Sequence, residues 1–402
     1  MYVAAAIVPQ GGLARGREYR DVGLYGEYAR ALADGRVPYR DFFVEYPPGA
    51  FAVFTPPALL PEQAYRHSFK VLMALLGVAM LIVAAVILAR VGAGRRRLQA
   101  TLAALALSPL ALGPVSLNTY DLWPALLVAG AVAALLYGRP TLGFALLGLA
   151  VTAKLYPLAL LPLFCVAARP RLARPLLAFG AVVAAVFVPF ALVAGEGLRE
   201  SLEAQSGRAL QLESLGGAML AAADRLGLYD ATVVTGSTAA LSRDLAGGLP
   251  DAVAVASSVL QAAAVVAVAW FFAVRGRASG ERLVIAAAAT LVGFLAFSRF
   301  ISPQYLVWLL PLVPIARLAP AALAAAAMVL AQLWFFHYGG VFALERIVWL
   351  VVLRDALLVA LYGLLLWSTI TPSSSRTFVH APFSNRRASG TAAVEAEERR
   401  SR

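Results

Sequence analysis

The sequence predicts an all-α polytopic membrane protein with about ten or eleven membrane helices and a large first outer loop. Three observations carry this expectation. The 402-residue chain is 61% hydrophobic and only 14% charged, against about half and about a quarter in an ordinary soluble domain. Its apolar residues fall in repeated runs close to the ~20 residues that a bilayer-crossing helix needs. Its arginines gather in short turns between alternate runs, the bias that marks cytoplasmic loops. The same composition excludes a soluble enzyme, a disordered chain and a disulfide scaffold. The single Cys165 lies inside an apolar run, so neither an internal disulfide nor a cysteine metal site is available.

Taken in order, Met1–Pro9 is apolar but too short to cross, and it lacks the basic flank and cleavage site of a signal peptide. It reads as the stub of a first membrane helix. Residues 10–68 form a first extracytoplasmic loop. Within it a helical stretch, Leu24–Ala33, is stopped by Asp34-Gly35, and an extended part follows, stiffened by Pro38, Pro47, Pro48, Pro56 and Pro57. A first block of membrane helices, 69–195, contains spans at 69–89, 98–115, 122–137 and 175–195. Its tract 141–168 is interrupted by Lys154-Leu155-Tyr156-Pro157 and must cross twice or re-enter if Arg139 and Arg169–Arg174 are to share a side. Residues 196–250 read as a second large extracytoplasmic segment of short amphipathic helices. A second block, 251–367, holds spans at 251–274, 283–298, 319–336 and 347–367, with a short proline-rich one at 303–316. The Ser-, Ala- and Arg-rich stretch 368–402 has the composition of a disordered cytoplasmic tail.

The net charge of +12 sits in turns around Arg90, Arg95–Arg97, Arg139, Arg169–Arg174, Arg275–Arg282 and Arg317. That distribution reads as membrane orientation and contact with anionic lipids, not as a nucleic-acid footprint. The acids gather on the opposite side, from Asp21 to Glu62 and from Glu196 to Asp251. The expected location is a bacterial plasma membrane, crossed many times, with the functional face outward.

The first loop mixes acids, tyrosines and prolines more densely than a passive connector requires: Asp21 and Tyr25, then Gly35-Arg36-Val37-Pro38-Tyr39-Arg40-Asp41-Phe42, then Glu45-Tyr46-Pro47-Pro48. Carboxylates on a proline-stiffened loop can act on a sugar hydroxyl, and tyrosine rings offer flat faces to sugar rings. A solvated loop whose acids merely complement local arginines has about equal weight on composition alone. This run resembles the first periplasmic loop of the family-87 glycosyltransferases, which pair an Asp with a Tyr four residues on, then Gly-x-x-Pro-Tyr-x-Asp-Phe, then Glu-Tyr-Pro-Pro. Lys154-Leu155-Tyr156-Pro157 resembles the family's Lys-x-Tyr-Pro element, and Ser302-Pro303-Gln304-Tyr305 its Ser-Pro-Gln-Tyr element.

The resemblance implies the C-type glycosyltransferase superfold. It also implies transfer of a hexose, with mannose foremost, from a polyprenyl-phosphate donor to a lipid-linked or glycan acceptor outside the cytoplasm, without a metal or other cofactor. It maps the general base onto Asp21, with Asp41 and then Glu45 as alternatives, and an attack from the face opposite the phosphate that inverts the anomeric centre. The donor phosphate calls for cations, and Lys154 and Arg299 answer. A lysine in mid-tract is costly, about 2.5–3.5 kcal/mol on insertion scales, and so marks function; snorkelling to the interface is its ordinary alternative. Gln304 and Tyr305 follow a proline at a helix start, where free N–H groups favour an anion. Tyr25, Tyr39, Tyr46 and Tyr156 complete the expected substrate contacts. His337 could serve the phosphate or the acceptor, although a lone histidine beside aromatics more often belongs to an interfacial belt. Arg354-Asp355 reads as a paired charge inside the last span with a structural role. A flippase for lipid-linked sugars or a small-solute transporter is the competing class, but its polar groups should lie at the midplane on repeated broken helices, whereas here they collect at one face.

Overall fold

The computed structural model describes residues 21–235, 242–275, 279–337 and 344–371, with the backbone alone at 206, 336–337 and 344–346. The expected helix stub at 1–9 lies outside these residues, as does the tail beyond 371. Helix α1 (Asp21–Ala33) starts three residues before the stretch read from the sequence and ends as that reading requires. Gly35 takes the left-handed conformation, with φ 79°, and the Arg36 N–H closes on the Ala31 carbonyl at 3.0 Å, the hydrogen-bond pattern that terminates a helix on a glycine. A 3₁₀ turn at Pro48–Ala50 leads into α2 (Phe51–Ala58). The loop backbone at Gly49 lies directly on Thr152 of α7 (Pro140–Ala153), where a Cβ would overlap it.

The bundle continues through α3 (Tyr65–Arg90), α4 (Arg95–Leu112), the single turn α5 (Val115–Asn118) and α6 (Leu122–Leu136), then α7 and α8 (Leu161–Ala167). Helix α9 (Ala173–Ser206) is kinked at Ala194 and runs well past 195. Gly197 sits just beyond that kink, under the Tyr39 carbonyl, where no side chain fits. After α10 (Leu215–Arg225) come α11 (Gly248–Val274) and α12 (Gly280–Ala296), the single turn α13 (Val313–Ala316), α14 (Leu318–Gln332) and α15 (Leu344–Ile370). Among the described residues, five helical stretches are long and apolar enough to cross a membrane: Glu62–Arg90, Ala173–Gln205, Gly248–Val274, Leu318–Phe335 and Ile347–Ile370. The other apolar helices are shorter, because prolines and the break after Ala153 divide them. Helix α12 packs between α11 and α15 and is buried on nearly every side, with Ala286–Ala289 fully enclosed.

The fold is mostly helical but not purely so. Short strands β1 (Leu210–Gln211), β2 (Thr232–Thr235) and β3 (Arg243–Ala246) pair antiparallel in the order β1-β3-β2. The expectation of amphipathic helices alone across 196–250 is thereby corrected: Thr232-Val233-Val234-Thr235 is β-branched throughout, which suits a strand better than a helix. This small sheet packs on α10 and α11, and α10 packs on α15, where fully buried Arg354 pairs with Asp355 at 2.8 Å and donates to the Glu213 carbonyl. The arginine turns stand at helix ends remote from the cavity described below: Arg90 ends α3, Arg139 precedes α7, and Arg282 opens α12. Arg97 has a firmer role than lipid contact. It pairs with Glu281 at 2.7 Å and donates to the Ile315 and Ala316 carbonyls, tying α4 to α12 and α13.

Candidate active site

The break that divides the 141–168 tract builds the heart of the site. Helix α7 stops at Ala153, whose carbonyl Pro157 cannot reach with an N–H, and Lys154 takes an extended backbone, φ −160° and ψ 143°. Its ammonium turns inward and lies 2.5 Å from Asp121 Oδ1. The same oxygen accepts the Trp308 indole N–H at 2.5 Å. The ammonium also sits 4.7 Å from the Tyr120 ring centroid, 5.2 Å from Tyr305 and 5.3 Å from Trp308, an aromatic box that a cation favours. Trp308 stacks on Tyr156 at 4.0 Å and on Tyr305 at 4.2 Å, so the Lys-x-Tyr-Pro and Ser-Pro-Gln-Tyr elements form one aromatic stack.

The first loop supplies the facing wall. Tyr39 adopts φ 69° and donates from its hydroxyl to the Tyr46 carbonyl at 2.6 Å, which pins the Glu45-Tyr46 stretch. From α9, Ser201 donates to the Val44 carbonyl and Gln205 to the Glu45 carbonyl, each at 2.7 Å. Arg208, just past the end of α9, pairs with the Glu45 carboxylate at 2.6 Å and lies 5.0 Å from the Phe300 ring centroid. Its Nε–H is buried without a hydrogen-bond partner among the described residues. Asp21 opens α1 and faces this wall, with the Tyr25 hydroxyl donating to its Oδ2 at 3.4 Å. Burial, then the negative charges of Glu45 and Asp121, lift its carboxyl from the ordinary value to about 7, against the pull of Lys154.

These groups share one cavity of about 920 Å³. Asp21, Glu45, Tyr46, Lys154, Arg208 and Gln304 line its polar part. Leu158 and Ala159 from the 3₁₀ turn before α8, with Ala262, Val265 and Phe294 from α11 and α12, give it an apolar flank. Tyr156 and Tyr305 line it as well. Tyr25 and Tyr39 stand behind the wall as buried supports. Asp41 is not part of the lining. It is held outside by Arg40 at 2.9 Å and the Val37 N–H at 2.7 Å, and the Arg40 contact keeps its carboxyl low, at about 2. Arg299 does not line the cavity either; its carbonyl accepts the Gln211 N–H at 3.0 Å. The His337 side chain lies outside the described residues. No cluster of three or more His, Cys, Asp or Glu side chains that could hold a metal ion occurs among the described residues.

Besides Glu27 and Arg66, which also line the cavity, two charged residues at its heart are not marked out by the sequence. In the sequence Asp121 stands at a short turn ahead of an apolar run, and nothing in the chain order ties it to Lys154. Arg208 stands 163 positions from Glu45, in a segment rich in charges. The signal that does point to Asp121 is the cost of a charge beside an apolar run, since it directly precedes α6.

Apolar helices around a cavity that joins Asp21 to the cations Arg66, Lys154 and Arg208 define a membrane-embedded protein with a polar site and a greasy flank. Its sequence shows which one. The model of glycosyltransferase family 87 matches residues 43–303, well over half of the chain, and the protein belongs to that family of membrane glycosyltransferases. A search of the curated proteins found no match.

Proposed function

We propose that the protein transfers a hexose, with mannose the first to test, from a polyprenyl-phosphate donor to a lipid-linked or glycan acceptor on the extracytoplasmic face of a bacterial plasma membrane. The architecture is that of the C-type superfold with ten or eleven membrane passes, about half of which are too short or broken to be recognised by length alone. Asp21 takes the proton from the acceptor hydroxyl. The oxygen then attacks the anomeric carbon while the bond from that carbon to the phosphate oxygen breaks, and the electron pair leaves with the polyprenyl phosphate. Attack opposite the leaving group inverts the centre. Lys154 and Arg208 carry the charge that grows on the phosphate.

Support comes chiefly from one juxtaposition: a carboxyl poised near pH 7 shares a cavity with an arginine whose buried Nε–H meets no partner among the described residues. A base working near neutral pH is well matched to hydroxyl deprotonation, a contribution of typically 10²–10⁴-fold. Each cation already meets a carboxylate, but Lys has three N–H donors and Arg five, so both retain donors for a phosphate. The apolar flank suits an isoprenoid chain.

The test is incubation of purified protein in nanodiscs with radiolabelled polyprenyl-phosphate hexoses and an envelope lipid extract. A labelled product that depends on Asp21 is expected. Labelled donor that moves across a liposome bilayer with no new product would instead make the protein a carrier.

A further inference from the structure

Away from the cavity, three charged side chains are sealed together where α10 meets α15. Glu213 stands just before Ser214, the N-cap of α10, and Arg354 and Asp355 belong to α15; none is more than 2% exposed. Arg354 donates from Nε to Asp355 Oδ1 at 2.9 Å and from Nη2 to the Glu213 carbonyl. The rest of the set is not answered in this way. Among the described residues, Arg354 Nη1, Asp355 Oδ2, Glu213 Oε2 and the Trp334 indole nitrogen are all buried without a hydrogen-bond partner. The Trp334 ring closes one side, its centroid 6.0 Å from the guanidinium. The other neighbours bring no second cation to the carboxyls. Asp244 on β3 adds a negative charge, and Arg243 beside it meets this segment through its carbonyl, which accepts the Leu212 N–H. Tyr305 lies within electrostatic reach on the cavity side, and α11 presents only Val253 and Ser257 at Gly216.

Two carboxylates closed in with one guanidinium repel each other, and such a pair relaxes by keeping one proton. Asp355 holds the direct ion pair at 2.8 Å, so the proton falls to Glu213. Burial, against the pull of Arg354 and with the push of Asp355 and Asp244, lifts the Glu213 carboxyl from 4.5 to about 8. We infer that Glu213, Arg354 and Asp355 form a proton-held clasp, shut while Glu213 is a neutral acid, that keeps α10 and the adjoining β1 on α15. As pH rises the Glu213 O–H bond breaks, the proton passes to water, and two negative charges face one positive charge in an enclosure built for one. The clasp reaches the cavity through Gln211, two residues before Glu213. Its side chain accepts the Ile301 N–H at 2.8 Å and its own N–H donates to the Arg299 carbonyl at 3.0 Å, one hold on each side of Phe300. Phe300 lines the cavity beside Arg208, so an open clasp slackens that wall.

The test uses the full-length protein in nanodiscs, and none of its readouts needs a sugar or a lipid substrate, so it stands apart from the transferase reading. The infrared difference between the parent and Glu213→Gln at about pH 6 isolates the carboxylic-acid C=O stretch of Glu213, with Asp21 cancelling. That band is present and persists to about pH 8; a parent without it at about pH 6 overturns the inference. In Asp355→Asn the guanidinium is left to Glu213, so the band disappears at least about one pH unit lower. Loss at an unchanged pH overturns the shared guanidinium and the clasp with it. The proton also stabilises the fold most below the unfolded value of 4.5, and that contribution is lost as pH rises to about 8. Glu213→Gln cannot ionise, so its melting temperature gains at least about 3 °C on the parent between about pH 5 and pH 8 and then gains no more. A gap that stays constant or reverses overturns the inference. Trypsin cleavage after Arg225, at the end of α10, reads the docking itself. At about pH 9 the variant is cut at least about threefold more slowly than the parent, and equal rates mean that the proton does not hold α10 in place.

Discussion

The Lys154 ammonium meets Asp121 Oδ1 at 2.5 Å on a carboxylate that also receives the Trp308 indole N–H, three groups drawn from three separate stretches of chain. Charges so enclosed hold each other in place. Lys154→Met strands the carboxylate and should cost about 3–5 kcal/mol of stability, because an unpaired buried charge is left behind. The double variant Asp121→Asn with Lys154→Met should recover most of the lost melting temperature, since neither group then needs solvation. Donor affinity should stay low in both. Thermal unfolding and donor binding on the same preparations check this, and a single variant as stable as the parent would refute it.

Asp21 sets a pH profile. With its carboxyl near 7, the proton-accepting form accumulates as pH rises through that value. The specificity constant should therefore climb by about tenfold per pH unit below neutrality and level off above it. Asp21→Asn should lower turnover by at least about 100-fold with donor binding retained. A flat profile across the same range removes Asp21 as the base.

The raised carboxyl also has a sign for folding. The folded protein holds this proton more tightly than the unfolded chain, whose carboxyl keeps the ordinary value of 3.8. The Asp21 contribution to stability is therefore greatest below that value and is lost as pH rises to about 7. Asp21→Asn cannot ionise, so it should melt with the parent near pH 4 and increasingly above it toward about pH 8. Melting curves at three pH values read the divergence; a variant that is less stable at the alkaline end contradicts the burial assigned to Asp21.

Arg208 separates binding from chemistry. Arg208→Gln keeps a hydrogen-bond donor beside Glu45 but removes the charge, and should raise the donor KM by about tenfold or more with a smaller change in kcat. An unchanged donor KM would take the phosphate away from this arginine.

Close approach at Gly197 makes a structural prediction. A methyl group there would run into the Tyr39 carbonyl, so Gly197→Ala should push the first loop off α9 at a cost of about 1–3 kcal/mol. Because Tyr39 pins Tyr46, acceptor KM should rise together with the loss of melting temperature. Unaltered melting would mean that the loop does not rest on α9 as described.

Much of the molecule was legible because membranes constrain composition so strongly. Long apolar runs at 65–90, 248–274 and 344–370 announce themselves, and Asp34-Gly35 marks the end of α1 in sequence as it does in space. The cavity was legible where a residue stood out against its own surroundings, as Lys154 does inside an apolar tract. It was not legible where the meaning of a residue depends on a distant partner. Arg299 and Arg208 are both plausible cations in a linear reading, and only the β1 contact that turns the 299–301 chain decides which one faces the cavity. Asp41 failed for a similar reason: its neighbour Arg40 and the turn at Val37 satisfy it locally, a competition that composition does not reveal.

The alanines of α12 have a further bearing on how this chamber can change. Ala286–Ala289 present bare methyl groups to crowded neighbours, so that helix behaves as a fixed axle whose thickness cannot be trimmed and cannot grow without forcing the bundle apart. Helix α11 is different. Val255, Val259, Val266 and Trp270 are exposed along it, while Gln261 latches it to the Phe294 carbonyl at 2.7 Å from its inner side. Room for a bulkier or slimmer tail must then be won by sliding this outer stave, and the Gln261 latch sets how far it can go.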